Sequence, residues 1–241
     1  MTPSNTETID YAPYFRSREI GLPADAELMR RAHEFRFQVY CLECGFLTPE
    51  NYPDQQESDK YDRDAAHFCA SDRSGAIAGY VRLVRATPEQ SFPFRSHCTA
   101  LLDGITLPPD SECAEISRLM VSQHYRRRQG DILAGLTVTE NSVAAPQERR
   151  NNSPQILLSL YRQMYIYSIN NGIRYWYAAM ERSLARALTR MNFAFNQVGP
   201  QTDYYGPVAP YMADLRELET RVGASDPALL AWMRSTEEIR I

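Results

Sequence analysis

Between residues 24 and 44 apolar side chains return every three or four positions, with Leu28, Ala32, Phe35, Val39 and Leu42 on one stripe and charges between them. That spacing predicts an amphipathic helix, and Gly45 supplies its stop. Residues 48–64 are polar and rich in Pro, Asp and Gln, as expected of an ordered loop. Two strand-like runs follow at 66–71 and 76–86, joined by Asp72-Arg73-Ser74-Gly75, a hairpin-turn sequence. After a long connection comes a third apolar run, 114–121, and then a polar loop over 122–152. Ser153-Pro154 opens a helix as cap and first-turn proline, running to about Asn170, where Asn171-Gly172 ends it. An aromatic strand is expected at 173–180, a short helix at 183–191, and strands near 193–198 and 207–215. Asp226-Pro227 starts a last helix.

The order reads as one α+β domain over 1–241 with a mostly antiparallel central sheet, residues 1–20 a flexible arm and 222–241 a C-terminal helix. A chain of 241 residues with 44% hydrophobic and 23% charged residues has an ordinary globular balance. Its 26 basic and 30 acidic residues, net charge −4, give no general electrostatic reason to bind nucleic acid. The polar, acid-containing start and the lack of a long apolar window predict a cytoplasmic protein without a transmembrane segment. Five cysteines without framework spacing read as reduced thiols. Cys41-x-x-Cys44 has no second pair and no spaced histidines, so no metal site is expected. Gly-x-Gly-x-x-Gly, Walker and Gly-x-Ser-x-Gly motifs are missing, which argues against nicotinamide chemistry, nucleotide hydrolysis and serine hydrolysis.

Charges set into apolar segments carry the chemistry. Arg82 lies inside Ile77-Ala-Gly-Tyr-Val-Arg-Leu-Val84, so its guanidinium needs an acidic partner within the fold, as structural ion pair or ligand clamp. Arg36 alone reads as a surface arginine on the first helix, and Glu57, Asp59 and Asp62 alone as solvent-exposed acids. In Glu115-Ile116-Ser117-Arg118 the period of a strand puts Glu115 and Ser117 on one face and Arg118 on the other. A β-bulge would turn Glu115 and Arg118 toward one cleft and free backbone N–H groups for a substrate or an oxyanion.

Together these blocks resemble the acyl-homoserine-lactone synthases: Arg36-x-x-Val39-Tyr40…Gly45-Phe46, Glu57-x-Asp59-x-Tyr61-Asp62, Gly79-x-x-Arg82-Leu83 and Glu115-Ile116-Ser117-Arg118, in order over roughly residues 30–125. The chain is similar also to the acyltransferases that accompany PEP-CTERM/exosortase systems, through Met180-Glu181-Arg182-Ser183 and Tyr205-Gly206…Pro210-Tyr211. Both resemblances imply the GNAT-type N-acyltransferase fold. They imply transfer of a long-chain acyl group from an acyl carrier protein or acyl-CoA thioester to an amino acid or similar amine, with no permanently bound cofactor. Phe46 stands where the lactone synthases have tryptophan.

On that reading Glu115 is the general base and Arg118 holds the donor or orients the carboxylate. Asp59 and Asp62 take the acceptor's ammonium group, and Arg36 and Arg82 brace them or take its carboxylate, with Phe46 and Ser117 beside them. Met120 and Val121 belong with the donor, and Arg126, Arg127 and Arg128, with Arg149-Arg150, face an acidic carrier protein. Alternatives are a lactone synthase using S-adenosylmethionine, an acetyl-CoA acetyltransferase, a non-catalytic thioester-binding module, and a Cys113 or Cys98 nucleophile paired with His97 or His124.

Overall fold

The strand-like runs form the middle of one sheet. The computed structural model describes residues 11–12, 14–126 and 152–235. Strands β1 (Arg16–Glu19), β2 (Ala65–Ser71), β3 (Ile77–Val84) and β4 (Cys113–Val121) are antiparallel neighbours. β5 (Tyr175–Met180) joins β4 in parallel. Two short strands, β6 (Asn196–Gln197) and β7 (Thr202–Asp203), both pair antiparallel with β8 (Pro207–Asp214), which lies against β5. The sheet is therefore mixed and mostly antiparallel, as the order of elements predicts.

Two helices sandwich its centre, which is why β2 and β3 are buried on both faces. Helix α1 (Ala26–Phe37) packs on β3 from one side, and α2 (Asn152–Asn170) crosses β1, β2 and β3 on the other. Ile156, Leu157, Leu160 and Met164 of α2 are fully buried, each contributing about 1.5–3 kcal/mol of hydrophobic stabilisation. Gly79 permits this closeness: a Cβ there would sit 2.5 Å from Ile156 Cγ2. Gly172, at φ +69°, ends the helix where Asn171-Gly172 predicts.

Helix α1 departs from its predicted stripe. The buried positions are Met29, Ala32, Arg36 and Phe37, continued by Val39, Tyr40 and Cys41, while Leu42 is 54% exposed. Residues Gln38–Glu43 wind as a π-turn. The wider turn takes more residues per revolution, so a stripe drawn at 3.6 residues per turn drifts off the buried face.

Other boundaries also shift. The expected arm over 1–20 contributes β1, and Ala12 and Phe15 are 1% and 2% exposed, so hydrophobic burial ties this segment down. The expected strand near 193–198 is regular only at β6, because Phe193 and Val198 reach the core from coil. The expected terminal helix is two pieces. Residues 222–225 end α4 (Leu215–Ser225), and Asp226 begins α5 (Pro227–Arg234) by accepting the Leu229 N–H at 2.9 Å. Helix α3 (Arg182–Arg190) follows β5 directly. No described helix is long and apolar enough to cross a membrane.

Candidate active site

Six of the charged side chains close into a ring. Arg36 Nε donates to Glu57 Oε2 at 2.5 Å, and Glu57 Oε1 accepts from Arg118 Nη2 at 3.0 Å. Arg118 Nη2 also reaches Asp59 Oδ2 at 3.0 Å, and Asp59 Oδ1 accepts from Arg82 Nη1 at 2.5 Å. Arg82 Nη1 and Arg36 Nη1 then meet on Asp62 Oδ1, at 2.7 and 2.6 Å. Three guanidiniums alternate with three carboxylates, so the charges cancel.

Arg36, Arg82 and the Glu57 side chain have no exposure, and buried ions persist only when neutralised in this way. Burial opposes ionisation of Glu57, but Arg36 and Arg118 outweigh it and hold the carboxyl at about 2. Asp62 is likewise held well below the usual carboxylate range by Arg36 and Arg82, against burial. Behind the ring, His67 Nε2 donates to the Asp62 carbonyl at 2.9 Å, which fixes the tautomer. Nδ1 must then accept the Tyr80 hydroxyl proton, at 2.7 Å. Burial pushes His67 down to about 4, so the imidazole is neutral.

The ring bears on β4 through Arg118. Strand register steps by one here: Tyr80 opposes Met120 but Arg82 opposes Ser117, so Arg118 and Leu119 both face Val81. This is the predicted bulge, and Arg118 occupies the left-handed region at φ +55°. Its guanidinium lies over the Tyr40 ring, 4.9 Å from the centroid. Ladder pairing of β4 with β5 covers Cys113–Glu115 and Tyr175–Tyr177, after which β5 follows β8. Beyond Glu115 the β5-facing edge of β4 has no strand partner among the described residues, which leaves main-chain groups open to a ligand.

A cleft fills this parting, enclosing about 160 Å³. Glu115, Ser117 and Arg118 line it together. Glu115 is 3% exposed, and its Oε2 accepts one hydrogen bond, from the Phe94 backbone N–H at 2.9 Å. Burial pushes the carboxyl up to about 8, only partly offset by that N–H and by Arg82, Arg118 and Arg95. A buried carboxylate poised near neutrality, without a paired guanidinium among the described residues, can exchange a proton with a bound group.

Aromatic rings border the same cleft. Phe46 stacks on Tyr205 at 5.7 Å and meets Tyr40 edge-on at 5.9 Å, and Tyr205 adjoins Tyr204 at 4.8 Å. Tyr40 and Tyr205 stand in the sequence only as members of matched blocks and Tyr204 is not marked at all, although Tyr204-Tyr205-Gly206-Pro207 joins an aromatic pair to a turn signal. Glu57, read there as an exposed acid, is the most buried carboxylate of the ring.

The donor-side residues depart most from expectation. Met120 and Val121 are fully buried, in the cores on opposite faces of the sheet, so their side chains do not reach a donor. Arg126 is ion-paired with Glu43 and its side chain is only 11% exposed, which withdraws it from a carrier-protein surface. Arg127, Arg128, Arg149 and Arg150 lie outside the described residues. The nucleophile alternative also meets an obstacle. Cys113 is buried, donates to the Pro109 carbonyl at 3.2 Å, and is pushed up to about 11 by burial. Cys98 is buried and raised as well, while His97 stacks on Tyr204 at 3.8 Å.

Residues 35–135 match the family described as an acetyltransferase (GNAT) domain. Among solved structures the chain is similar to TofI in a ternary complex with an inhibitor and MTA, at 17% identity and TM-score 0.62, covering 90% of this chain and 99% of that one. It is similar to BjaI, a CoA-dependent acyl-homoserine lactone synthase with SAM and isopentyl-CoA, at 16% identity and TM-score 0.62, covering 94% and 92%. The AHL synthase LasI follows at 17% identity and TM-score 0.53, covering 82% and 85%. No curated protein matches the sequence. The GNAT fold is thereby shown; of the four blocks that suggested it, one begins on the first helix, two lie on β3 and β4, and Glu57–Asp62 lies on the loop before β2.

Proposed function

We propose that this chain, a GNAT-type acyltransferase by fold and matched domain, moves an acyl group from a thioester to the amine of an amino acid or similar small molecule. One observation carries the reading: Glu115, buried and raised to about 8, lines the cleft where β4 and β5 part. Asp59 and Asp62 are neutralised within the ring, so the acceptor's ammonium group goes to Glu115 instead. An arriving cation would restore the electrostatic partner that burial denies this carboxyl.

Glu115 takes a proton from the amine, whose lone pair then attacks the thioester carbonyl carbon. Free N–H groups on the open edge of β4 stabilise the oxyanion. Collapse breaks the C–S bond, the departing thiolate takes the second proton that the attacking nitrogen sheds, and Glu115 returns the first to solvent, leaving an amide and a free thiol. Arg118, the ring's cleft-lining cation, is the group for an acceptor carboxylate. Arg36 and Arg82 hold the ring and touch no ligand. The ring keeps Arg118 in its left-handed conformation, and the bulge sets the edge of β4.

Either CoA or an acyl carrier protein could present the thioester, since the parting between β4 and β5 needs only a narrow pantetheine arm. The cleft's volume of about 160 Å³ is near that of a benzene-sized cavity, and because it is partly open a longer chain extends beyond it. A lactone-forming variant with S-adenosylmethionine as the amine is favoured by Tyr40, Phe46, Tyr204 and Tyr205, which offer ring faces for stacking. Thiol release from acyl-CoA and acyl carrier protein donors, with amino acids or S-adenosylmethionine as acceptor, tests the proposal. Amine-dependent release lost in Glu115→Gln supports it, and release that ignores the amine argues for a hydrolase.

A further inference from the structure

Residues 85–112 join β3 to β4 and carry two short turns of 3₁₀ helix, Pro93–Ser96 and Asp110–Glu112. The first turn supplies the Phe94 N–H that binds Glu115 Oε2. The second runs straight into β4, the strand that bears Glu115, and is anchored by the Arg174 N–H on the Glu112 carbonyl at 2.8 Å. One fork joins the two turns. Arg95 Nη1 and Nη2 donate to Asp110 Oδ2 and Oδ1 at 2.7 and 2.6 Å, a bidentate pair of fixed geometry. The Arg95 guanidinium also covers the rings of Phe92 and Phe94, 5.1 and 5.9 Å from their centroids. Those rings are buried against Tyr177 of β5, at 5.4 and 5.0 Å. The ion pair itself lies at the rim, with side-chain exposures of 30% and 43%. Exposed pairs add little to stability, so a bidentate one that bridges two turns calls for another role.

The geometry points to Arg95 and Asp110 as positioning residues for Glu115: their fork sets the 93–96 turn against the base of β4 and so keeps the Phe94 N–H on Oε2. The inference rests on the acyl-transfer reading above, in which Glu115 is the base. Neither side chain lines the cleft. The N–H favours the charged carboxylate over its neutral form, so releasing the turn raises the pH at which Glu115 ionises. Arg82 from β3, Arg118 from β4, Tyr177 opposite it on β5, the Cys98 thiol and Tyr204 also face this carboxyl, and none of them is altered when the fork is broken. Arg95 acts on Glu115 both through the turn and through its own charge. Asp110→Ala breaks the fork and keeps the arginine, and the loss of a nearby negative charge alone would favour ionised Glu115. Arg95→Lys keeps the charge, but an ammonium group cannot make the fork. Charge alone therefore predicts a fall in the first variant and no change in the second, whereas positioning predicts a rise in both.

Two measurements on the full chain test this. Carbon-13 NMR of the glutamate carboxyls, with the Glu115 signal assigned by its loss in Glu115→Gln, reads the titration without requiring turnover. The dependence of kcat/KM on pH reads the reaction. Both variants should raise the Glu115 midpoint by about one pH unit, the effect of one lost hydrogen bond to a charged group. The limb of kcat/KM should move with it, at a melting temperature close to that of wild type. The double variant should move it no further than either single one, since both act through one contact. A midpoint that falls or stays in place in Asp110→Ala would overturn the inference, and so would an unchanged one in Arg95→Lys. A midpoint that rises in both variants while the kcat/KM limb stays put would instead keep the Arg95–Asp110 clamp and remove Glu115 as the base.

Discussion

Glu115 and Phe94 are joined by one hydrogen bond, the Phe94 backbone N–H donating to Glu115 Oε2 at 2.9 Å. That single donor orients the carboxyl without neutralising it. The three carboxylates of the adjacent ring are each bound to arginine, and the contrast separates the reactive acid from its scaffold.

The rate should therefore rise with pH as Glu115 ionises, with a limb near pH 8 in kcat/KM for the free enzyme. Glu115→Gln should lose about 10²- to 10⁴-fold in kcat and lose that limb. A pH profile identical in the two proteins would remove Glu115 as the base.

The same carboxyl makes stability depend on pH in the opposite sense to most acids. Its folded value, about 8, lies above the ordinary 4.5, so the native state holds a proton that the unfolded chain gives up between those values. Its contribution is fully present below pH 4.5 and lost as pH rises to about 8. Glu115→Gln should gain on wild type across that window, by on the order of 3 kcal/mol. Urea melts at pH 5 and pH 8 measure it, and an equal difference at both would contradict the assignment.

Much of this was legible beforehand, and the failures have physical causes. Arg82 in an apolar strand demanded an internal acid, and Asp59 and Asp62 meet that demand. The bulge at Arg118, legible only as the condition under which Glu115 and Arg118 share a cleft, is present. Arg36 taken alone reads as a surface residue, because helical periodicity does not show the acids folded over it; only the matched blocks set it beside Asp62, which it bonds at 2.6 Å. Exposure of Glu57 was inferred from its polar neighbours, while its actual partners are 21 and 61 residues away. Arg126 looked free because a run of arginines does not disclose that Glu43 is beside it.

Arg118 combines a charge requirement with a backbone requirement, and two substitutions separate them. Both Arg118→Ala and Arg118→Gly remove the contacts to Glu57 and Asp59. Only glycine adopts φ +55° without cost, so the glycine variant should be more stable by about 1 kcal/mol. Thermal melts compare them directly. An alanine variant equal to or better than glycine would mean that the bulge relaxes once the ring is broken.

Breaking the ring elsewhere should cost more. Arg82→Met leaves Asp59 and Asp62 short of a cation in a buried site, a loss of about 3–5 kcal/mol. Glu57 and Asp62 are held below their unfolded values, so the ring's contribution is present above about pH 4.5 and fades as pH falls toward 2. Wild type and Arg82→Met should accordingly converge in stability during acid titration followed by circular dichroism. A gap that stays constant from pH 7 to pH 3 would refute the electrostatic account.

Filling the parting between the strands should stop acyl transfer while sparing the fold. Ala178→Leu places extra volume against Ile116 and Tyr161 in the cleft. Donors with larger acyl groups should lose turnover first, by at least ten-fold against the smallest donor. Uniform activity across donor sizes would show that the acyl group lies elsewhere.

The most direct test of the central claim is mass spectrometry of the products. Purified protein is incubated with acyl-CoA or acyl carrier protein and a panel of amino acids and S-adenosylmethionine, in parallel with Glu115→Gln. An N-acyl product with stoichiometric free thiol, formed by wild type and reduced at least a hundred-fold in the variant, is the predicted result. Equal product from the two proteins, or none from wild type with either class of donor, would contradict it.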